Sequence, residues 1–525
     1  MPTEANFGPL QTSGPSESYP AHHMNGSTRN ASTFWSAAAA GVLTFLASAP
    51  AAFAQTAWKP SDSLTPAAPK REFRGIWVAS VANIDWPSKR TLTVAEQQAE
   101  IKAMVAMAAS THINAILLQV RTSCDALYES QLEPWSEFLT GLSGKAPDPM
   151  YDPLSMWISE CHAHGIELHA WFNPFRARHF EAKLPDAPSH VSNAHPELVV
   201  SYDKYKWLDP GADESQTLSL NVIKDVVTRY DIDGVHIDDY FYPYPDGKTP
   251  FPDDARYQAY KTAGGTLSWD DWRRDRINQF VHSMYDSVKA IKPHVKVGIS
   301  PFGIWRPGNP PGIEGFDAYA KLYADSKLWL EQGWMDYCSP QLYWQISAPK
   351  QPFEPLLTWW LAQNPKNIAI IPGLNTSKLD VGGKWPTTEI TSQIELTRTK
   401  PQVAGVIQFS AKALLKNYKG ITTSLASTTY IEPALMPQFA NCGPEAPAPL
   451  ESVKVEADTK VAVTWTPPAN ERFVVVGWNR KGTWQFQVMP AAAGGADVDP
   501  DSLEAAAIAP LGRNGALGSW SVWVP

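Results

Sequence analysis

Two adjacent carboxylates end an apolar run. Asp233-Gly234-Val235-His236-Ile237-Asp238-Asp239 passes directly into the aromatic and proline-rich stretch Tyr240-Phe241-Tyr242-Pro243-Tyr244-Pro245. In a strand the side chains alternate, so His236 and Asp238 share one face and Val235 and Ile237 the other. An ionised carboxylate is costly to bury without partners, which places the pair at an open strand end. An Asp-Asp pair standing alone would suit a cap on the following turn equally well, so its surroundings decide the reading. Cleavage of a glycosidic bond normally uses two carboxyl groups, about 5–5.5 Å apart for retention and about 6.5–9.5 Å apart for inversion. Asp238 is the better nucleophile or base, because it shares the inward face with His236. For the second carboxyl three residues compete: Asp239, although strand neighbours point opposite ways, Asp125 in the loop after the second strand, and Asp85. His236 suits a hydrogen-bonding wall position better than a base or a metal ligand. No cluster has metal-ligand spacing, and no cofactor is expected.

The elements that must carry these groups alternate regularly. Short, continuously apolar strands are predicted at 73–80, 115–121, 167–174, 233–239, 296–301, 337–343, 368–373 and 405–410. Helical patterns fall between them at 94–109, 153–164, 219–229, 272–291, 318–332, 355–362 and 388–399. Strands buried on both faces and alternating with helices imply a parallel sheet, and eight such units imply an α/β fold of the (β/α)8 TIM-barrel type. A doubly wound open sheet would want a glycine-rich turn after the first strand, and Ala79-Ser80-Val81-Ala82 offers none. Barrel chemistry sits at the carboxyl ends of the strands. Those ends carry Trp77 and Asp85, Arg121, Trp171 and Asn173, His236 and Tyr240, and Gln341, Tyr343 and Trp344, all expected to bind substrate. Amides, carboxylates, an arginine and flat rings on one rim match the donors, acceptors and apolar faces of a sugar chain.

The sequence has 525 residues, 44% of them hydrophobic and 18% charged, which is ordinary for a globular protein outside membranes. A net charge of -9 argues against a nucleic-acid partner, which would require clustered Lys and Arg. The 22 Trp and 18 Tyr suit stacking on sugar faces, although most such rings belong to cores. Residues 1–54 are expected to be a leader and signal peptide: the Ala-rich run Thr33–Ala49 precedes Ala52-Phe53-Ala54, with cleavage after Ala54. Met1 or Met24 could be the start, no stable membrane span is expected after processing, and no Cys near Ala54 offers a lipid-attachment site. The processed protein is expected in the periplasm or outside the cell. A linker at 55–70, a barrel domain at 71–430, a second linker at 431–449 and a small antiparallel β-sandwich at 450–525 follow. Cys124, Cys161, Cys338 and Cys442 are too scattered for a disulfide scaffold; three full pairings or four free thiols remain open.

Phe73-Arg74-Gly75-Ile76-Trp77-Val78-Ala79 with Asn83-Ile84-Asp85-Trp86-Pro87-Ser88 resembles the opening of the family-10-like glycosyl hydrolases. Gln119-Val120-Arg121, Asp125-Ala126-Leu127-Tyr128, Glu133-Pro134-Trp135 and Leu139-Thr140-Gly141 are similar to its second block. His169-Ala170-Trp171-Phe172-Asn173-Pro174, the stretch 233–245 and Ser339-Pro340-Gln341 with Tyr343-Trp344 are similar to later ones. The resemblance covers roughly residues 71–416 and implies an exported TIM-barrel glycosidase of the cell envelope. It also implies peptidoglycan glycan strands stripped of stem peptides as substrate, division or envelope proteins as partners, and a fibronectin-type-III-like tail from Leu450. The pattern Asp233-Gly234 with Asp238 also resembles the nucleophile strand of the α-amylase family, but Gly298-Ile299-Ser300-Pro301-Phe302 lacks that family's acid. A non-catalytic glycan-binding protein on the same scaffold is the competing expectation.

Overall fold

Strict in-and-out alternation along a parallel sheet organises the centre of the molecule. The computed structural model describes residues 57–380, 382–443 and 446–525; the leader and its cleavage site at Ala54 lie outside the described residues. Nine strands make the sheet: β1 (Phe73–Val78), β2 (Ala115–Arg121), β3 (Glu167–Phe172), β4 (Gly234–Ile237), β5 (Lys296–Ile299), β6 (Tyr337–Cys338), β7 (Ala369–Ile370), β8 (Gly373–Leu374) and β9 (Gly405–Gln408). Their order is β7-β6-β5-β4-β3-β2-β1-β9-β8, every pair parallel. The sheet is curled, and its two edges, β7 and β8, are consecutive pieces of one segment. That segment bonds to both sides: Ile371 N–H donates to the Cys338 carbonyl at 2.9 Å, and Ile407 N–H to that of Pro372 at 3.2 Å.

Phe73, Trp77, Leu117, Trp171, Tyr337 and Ile407 pack together inside the curl. Ile76, Val78, Ile116, Leu118, Val235, Ile237, Val297 and Ile299 face outward onto the helices. This is the period of two expected from the sequence. Two glycines make room for the interior rings. A Cβ on Gly298 would stand 1.8 Å from the Tyr337 ring, and one on Gly234 2.4 Å from the His169 ring. Only glycine lets those side chains cross their neighbouring strands.

Three expected elements differ. The sixth strand stops at Cys338 and the seventh is cut in two, because Pro340 and Pro372 have no N–H to give the ladder. The helix expected over 318–332 divides into Ala318–Lys321 and Ser326–Gln332. Tyr323 between them has a φ of 54°, which a right-handed helix cannot hold, and Asp325 caps the second piece through the Leu328 N–H. The helix before β4 begins at Asp213 rather than Ser219. A small antiparallel sheet of Arg176–Arg178, Tyr205–Leu208 and Val199–Tyr202 was not anticipated.

The C-terminal residues form two antiparallel sheets. Lys454–Ala457, Val461–Thr464 and Gly495–Val498 make one. Phe473–Arg480, Thr483–Pro490, Leu503–Leu511 and Ser521–Val524 make the other, with Lys59–Pro60 added at its edge. The stretch read as a second linker places Met436, Phe439 and Cys442 against the interior cluster. All four cysteines are free and buried.

Arg472 and Arg513 reach the root of β4. Arg472 pairs with Asp233 and, at 2.5 Å, with Asp231; Arg513 pairs with Asp231 at 2.6 Å. Asp233 also accepts from the Leu168 N–H at 2.8 Å and contacts His162 at 2.9 Å. Arg472 and Asp233 are both almost fully buried, so removing one partner strands the other charge. Arg472→Ala is expected to cost about 3 kcal/mol in urea unfolding; a loss below about 1 kcal/mol, the range of an exposed pair, would refute the clamp.

Candidate active site

The parallel direction of the strands brings every C-terminal strand end to one rim, and β4 delivers Asp238 and Asp239 there. Both are buried, with 6% and 4% of their surfaces exposed, so each needs partners. Asp239 has them. Its Oδ1 accepts from Gln341 Nε2 at 3.0 Å, its Oδ2 from the Tyr244 hydroxyl, and Gln341 is itself held on the Ser300 carbonyl at 3.0 Å. Asp238 is less well served: its Oδ1 is buried without a hydrogen bond, and its donors are the backbone N–H groups of Tyr240 and of Asp238 itself. Burial, then the neighbouring charge of Asp239, pushes the Asp238 carboxyl up to about 7, against the pull of Arg176. Burial also raises Asp239, opposed first by the Tyr244 and Gln341 hydrogen bonds. Adjacent acids so close share one proton, and Asp239, with its two side-chain donors, is the one left ionised.

Around the pair lies a set of unsatisfied donors. Trp171 Nε1, Asn173 Nδ2 and Arg176 Nη2 are buried with no partner. Asn173 Oδ1 accepts from the Arg176 N–H at 2.9 Å, and Arg176 Nε donates to the Thr122 carbonyl at 3.0 Å, which fixes the guanidinium above the Tyr240 ring at 5.1 Å. Buried polar groups are nearly always paired, so unpaired donors beside an acid mark a place for acceptor-rich ligand atoms. Half-buried rings line the rim: Tyr240 against Tyr244, Tyr343 against Phe409, and Trp344 edge-on to Phe302.

Beneath the acids runs a buried polar chain whose direction follows from donor counting. Trp77 Nε1 can only donate, and meets His236 Nε2 at 3.1 Å. Burial holds the His236 pKa well below its usual value, so the ring is neutral and its proton sits on Nδ1, facing the Tyr337 oxygen at 3.0 Å. Tyr337 then donates to His169 Nδ1 at 2.9 Å, and His169 Nε2 donates to Glu167 at 3.2 Å. Lys296 balances Glu167 at 2.9 Å and also bonds to the Arg513 carbonyl. His236 and Trp77 are therefore interior wall.

Three expected site residues have different partners from those foreseen. Asp85 accepts from the Ala79 N–H, the Ser410 hydroxyl and the Lys412 N–H at 2.7–2.8 Å, bracing the first strand end to the last. Arg121, with no exposed surface, gives its guanidinium to Glu133 and to the Asn173 and Pro174 carbonyls, so it supports the segment that carries Asn173. Asp125 turns Oδ1 onto Thr122 and Ser123 within its own turn. Tyr244 was absent from the expected set, and Arg176 was expected only as a residue following the third strand end. Among the described residues no group of three or more His, Cys, Asp or Glu is placed to hold a metal ion.

Residues 72–386 match the family model described as glycosyl hydrolase-like 10. Over 399 residues the chain is 40% identical to glycosyl hydrolase YngK of Bacillus subtilis (strain 168), covering 74% of this chain and 78% of that protein. It is 32% identical over 391 residues to glycosyl hydrolase DigH of Escherichia coli (strain K12), covering 68% of this chain and 88% of that one. Among solved structures it is similar to the glycoside hydrolase domain of PgaB (BpsB) from Bordetella bronchiseptica, with a TM-score of 0.46 and 11% identity over 68% of this chain and 98% of that chain. By the extent of the family match and the identity to these relatives, the chain belongs to the glycosyl hydrolase-like 10 family.

Proposed function

We propose that this protein is an exported glycoside hydrolase acting on cell-envelope polysaccharide, with peptide-free peptidoglycan glycan strands as its substrate. We read the curled sheet as a (β/α)8 barrel and the C-terminal sheets as a fibronectin-type-III-like module. The supporting observation is the asymmetric acid pair: Asp238 lacks a hydrogen bond on Oδ1 and is held protonated near neutrality, while Asp239 has two donors. A carboxyl kept neutral at working pH is a proton donor to a leaving oxygen, and its ionised neighbour offsets positive charge developing on the sugar. On this reading Asp238 is the acid, not the nucleophile or base that the sequence suggested. Trp171, Asn173 and Arg176 supply donors to sugar oxygens, and Tyr240, Tyr343 and Trp344 supply flat faces.

Purified protein incubated with glycan strands freed of stem peptides is expected to release shorter oligosaccharides, resolved by chromatography. Release should vanish in Asp238→Asn. If no envelope glycan is cut while glycan strands still bind, the protein is a glycan-binding scaffold and the hydrolase reading fails.

A further inference from the structure

We infer that the nucleophile of this reaction comes from the substrate: the acetamido group on the carbon next to the anomeric carbon of the sugar being cleaved. This rests on the hydrolase reading above and deepens it, since it restricts the cleaved sugar to an N-acetylated one. The two-carboxylate schemes place their groups on either side of the scissile bond. Asp238 and Asp239 are consecutive residues at one strand end, joined further by the Phe241 N–H bonding back to the Asp239 carbonyl at 3.1 Å. A sugar lying across this rim meets both from the same side. Asp85, Asp125 and Glu133, buried acids on the neighbouring rim loops, are each held by protein donors. Asp238 and Asp239 both face Tyr343 and, together with Arg176, Tyr240 at the rim.

A vicinal pair of this kind fits a nucleophile carried by the sugar. The acetamido N–H donates to Asp239, whose carboxylate is fixed by Tyr244 and Gln341. As the bond from the anomeric carbon to the leaving oxygen breaks, Asp238 gives its proton to that oxygen. The acetamido carbonyl oxygen closes onto the anomeric carbon, and Asp239 takes the N–H proton, leaving a neutral oxazoline. In the second half Asp238, now ionised, removes a proton from water. The water oxygen attacks the anomeric carbon, the ring carbon–oxygen bond opens, and the nitrogen regains its proton from Asp239. Water is the sole co-reactant, both acids return to their starting states, and the configuration is retained. The unpartnered donors of Trp171, Asn173 and Arg176, all at least nine-tenths buried, mark the same face as the place where an acceptor-rich sugar sits.

The test uses the whole protein and peptide-free glycan strands, chemically de-N-acetylated and then re-acylated with acetyl, fluoroacetyl or trifluoroacetyl groups. Fluorine drains the carbonyl oxygen of nucleophilicity without much change in size. Rates are expected to fall by about a hundred-fold or more from acetyl to trifluoroacetyl, with product of retained configuration by NMR. Cleavage at equal rates across the series, an inverted product, or a sugar attached to a carboxylate of the protein in intact-mass spectra would overturn the inference and leave the hydrolase reading standing. Failure to cut even the re-acetylated strands under conditions where a muramidase control cuts them would overturn both.

Discussion

Asp238→Asn and Asp239→Asn are expected to separate according to the leaving group. With natural glycan, whose leaving oxygen is a poor one, Asp238→Asn should lower kcat/KM about a thousand-fold, because the amide has no proton to give. With a dinitrophenyl glycoside of the same sugar, which departs without protonation, the loss should shrink to about tenfold or less. Asp239→Asn should lose about a thousand-fold on both substrates, since its charge acts on the sugar and not on the leaving group. The difference follows from their environments: Asp239 is held by Tyr244 and Gln341 in the ionised form, whereas Asp238 Oδ1 is buried without a hydrogen bond. Equal losses for Asp238→Asn on the two substrates would remove it from the acid role.

The sheet was legible because each strand carries its own signal. A run such as Ala115–Arg121 is apolar on both faces, and the expected bounds match the observed ones there. The acid pair was legible for the same reason: two carboxylates at the end of an apolar run need partners that only a polar site supplies. Partnership across sequence was not legible. Asp85 and Ser410 stand 325 positions apart, and nothing local to either distinguishes a brace from a ligand. Arg472 and Asp233 are 239 apart, and nothing local to either marks the pair that the fold buries together. Tyr244 was hidden among neighbouring aromatics, and its tie to Asp239 depends on how the loop after β4 folds back. Arg176 had a weak signal, its place three residues after Asn173, whose side chain caps its N–H. His169, His236 and Tyr337 each look like a lone polar residue on an apolar strand. Their chain exists because the curl places three strands' inward positions at hydrogen-bond distance.

Activity is expected to fall as pH rises through about 7, after the wild-type fold has lost, between pH 3.8 and about 7, stability that Asp238→Asn keeps. Both follow from one carboxyl. The acid must be protonated to act, so log kcat/KM should decline with unit slope above a pH of about 7. In the folded protein Asp238 holds its proton more tightly than in the unfolded chain, where the usual carboxyl value of 3.8 applies. That contribution to stability is complete below the unfolded value and is lost as pH climbs through the folded one. The loss amounts to roughly 4 kcal/mol, since one pKa unit corresponds to about 1.4 kcal/mol. Asp85, raised to about 6 by burial, acts in the same sense and is present in both proteins, so the difference between wild type and variant isolates Asp238. Urea midpoints should therefore favour Asp238→Asn increasingly from pH 3.8 to about 7 and by a constant margin above that, and the dinitrophenyl glycoside should show no alkaline limb with the variant. A gap in stability that does not change between pH 3.8 and about 7, with an alkaline limb that survives the substitution, would place the working proton on another group.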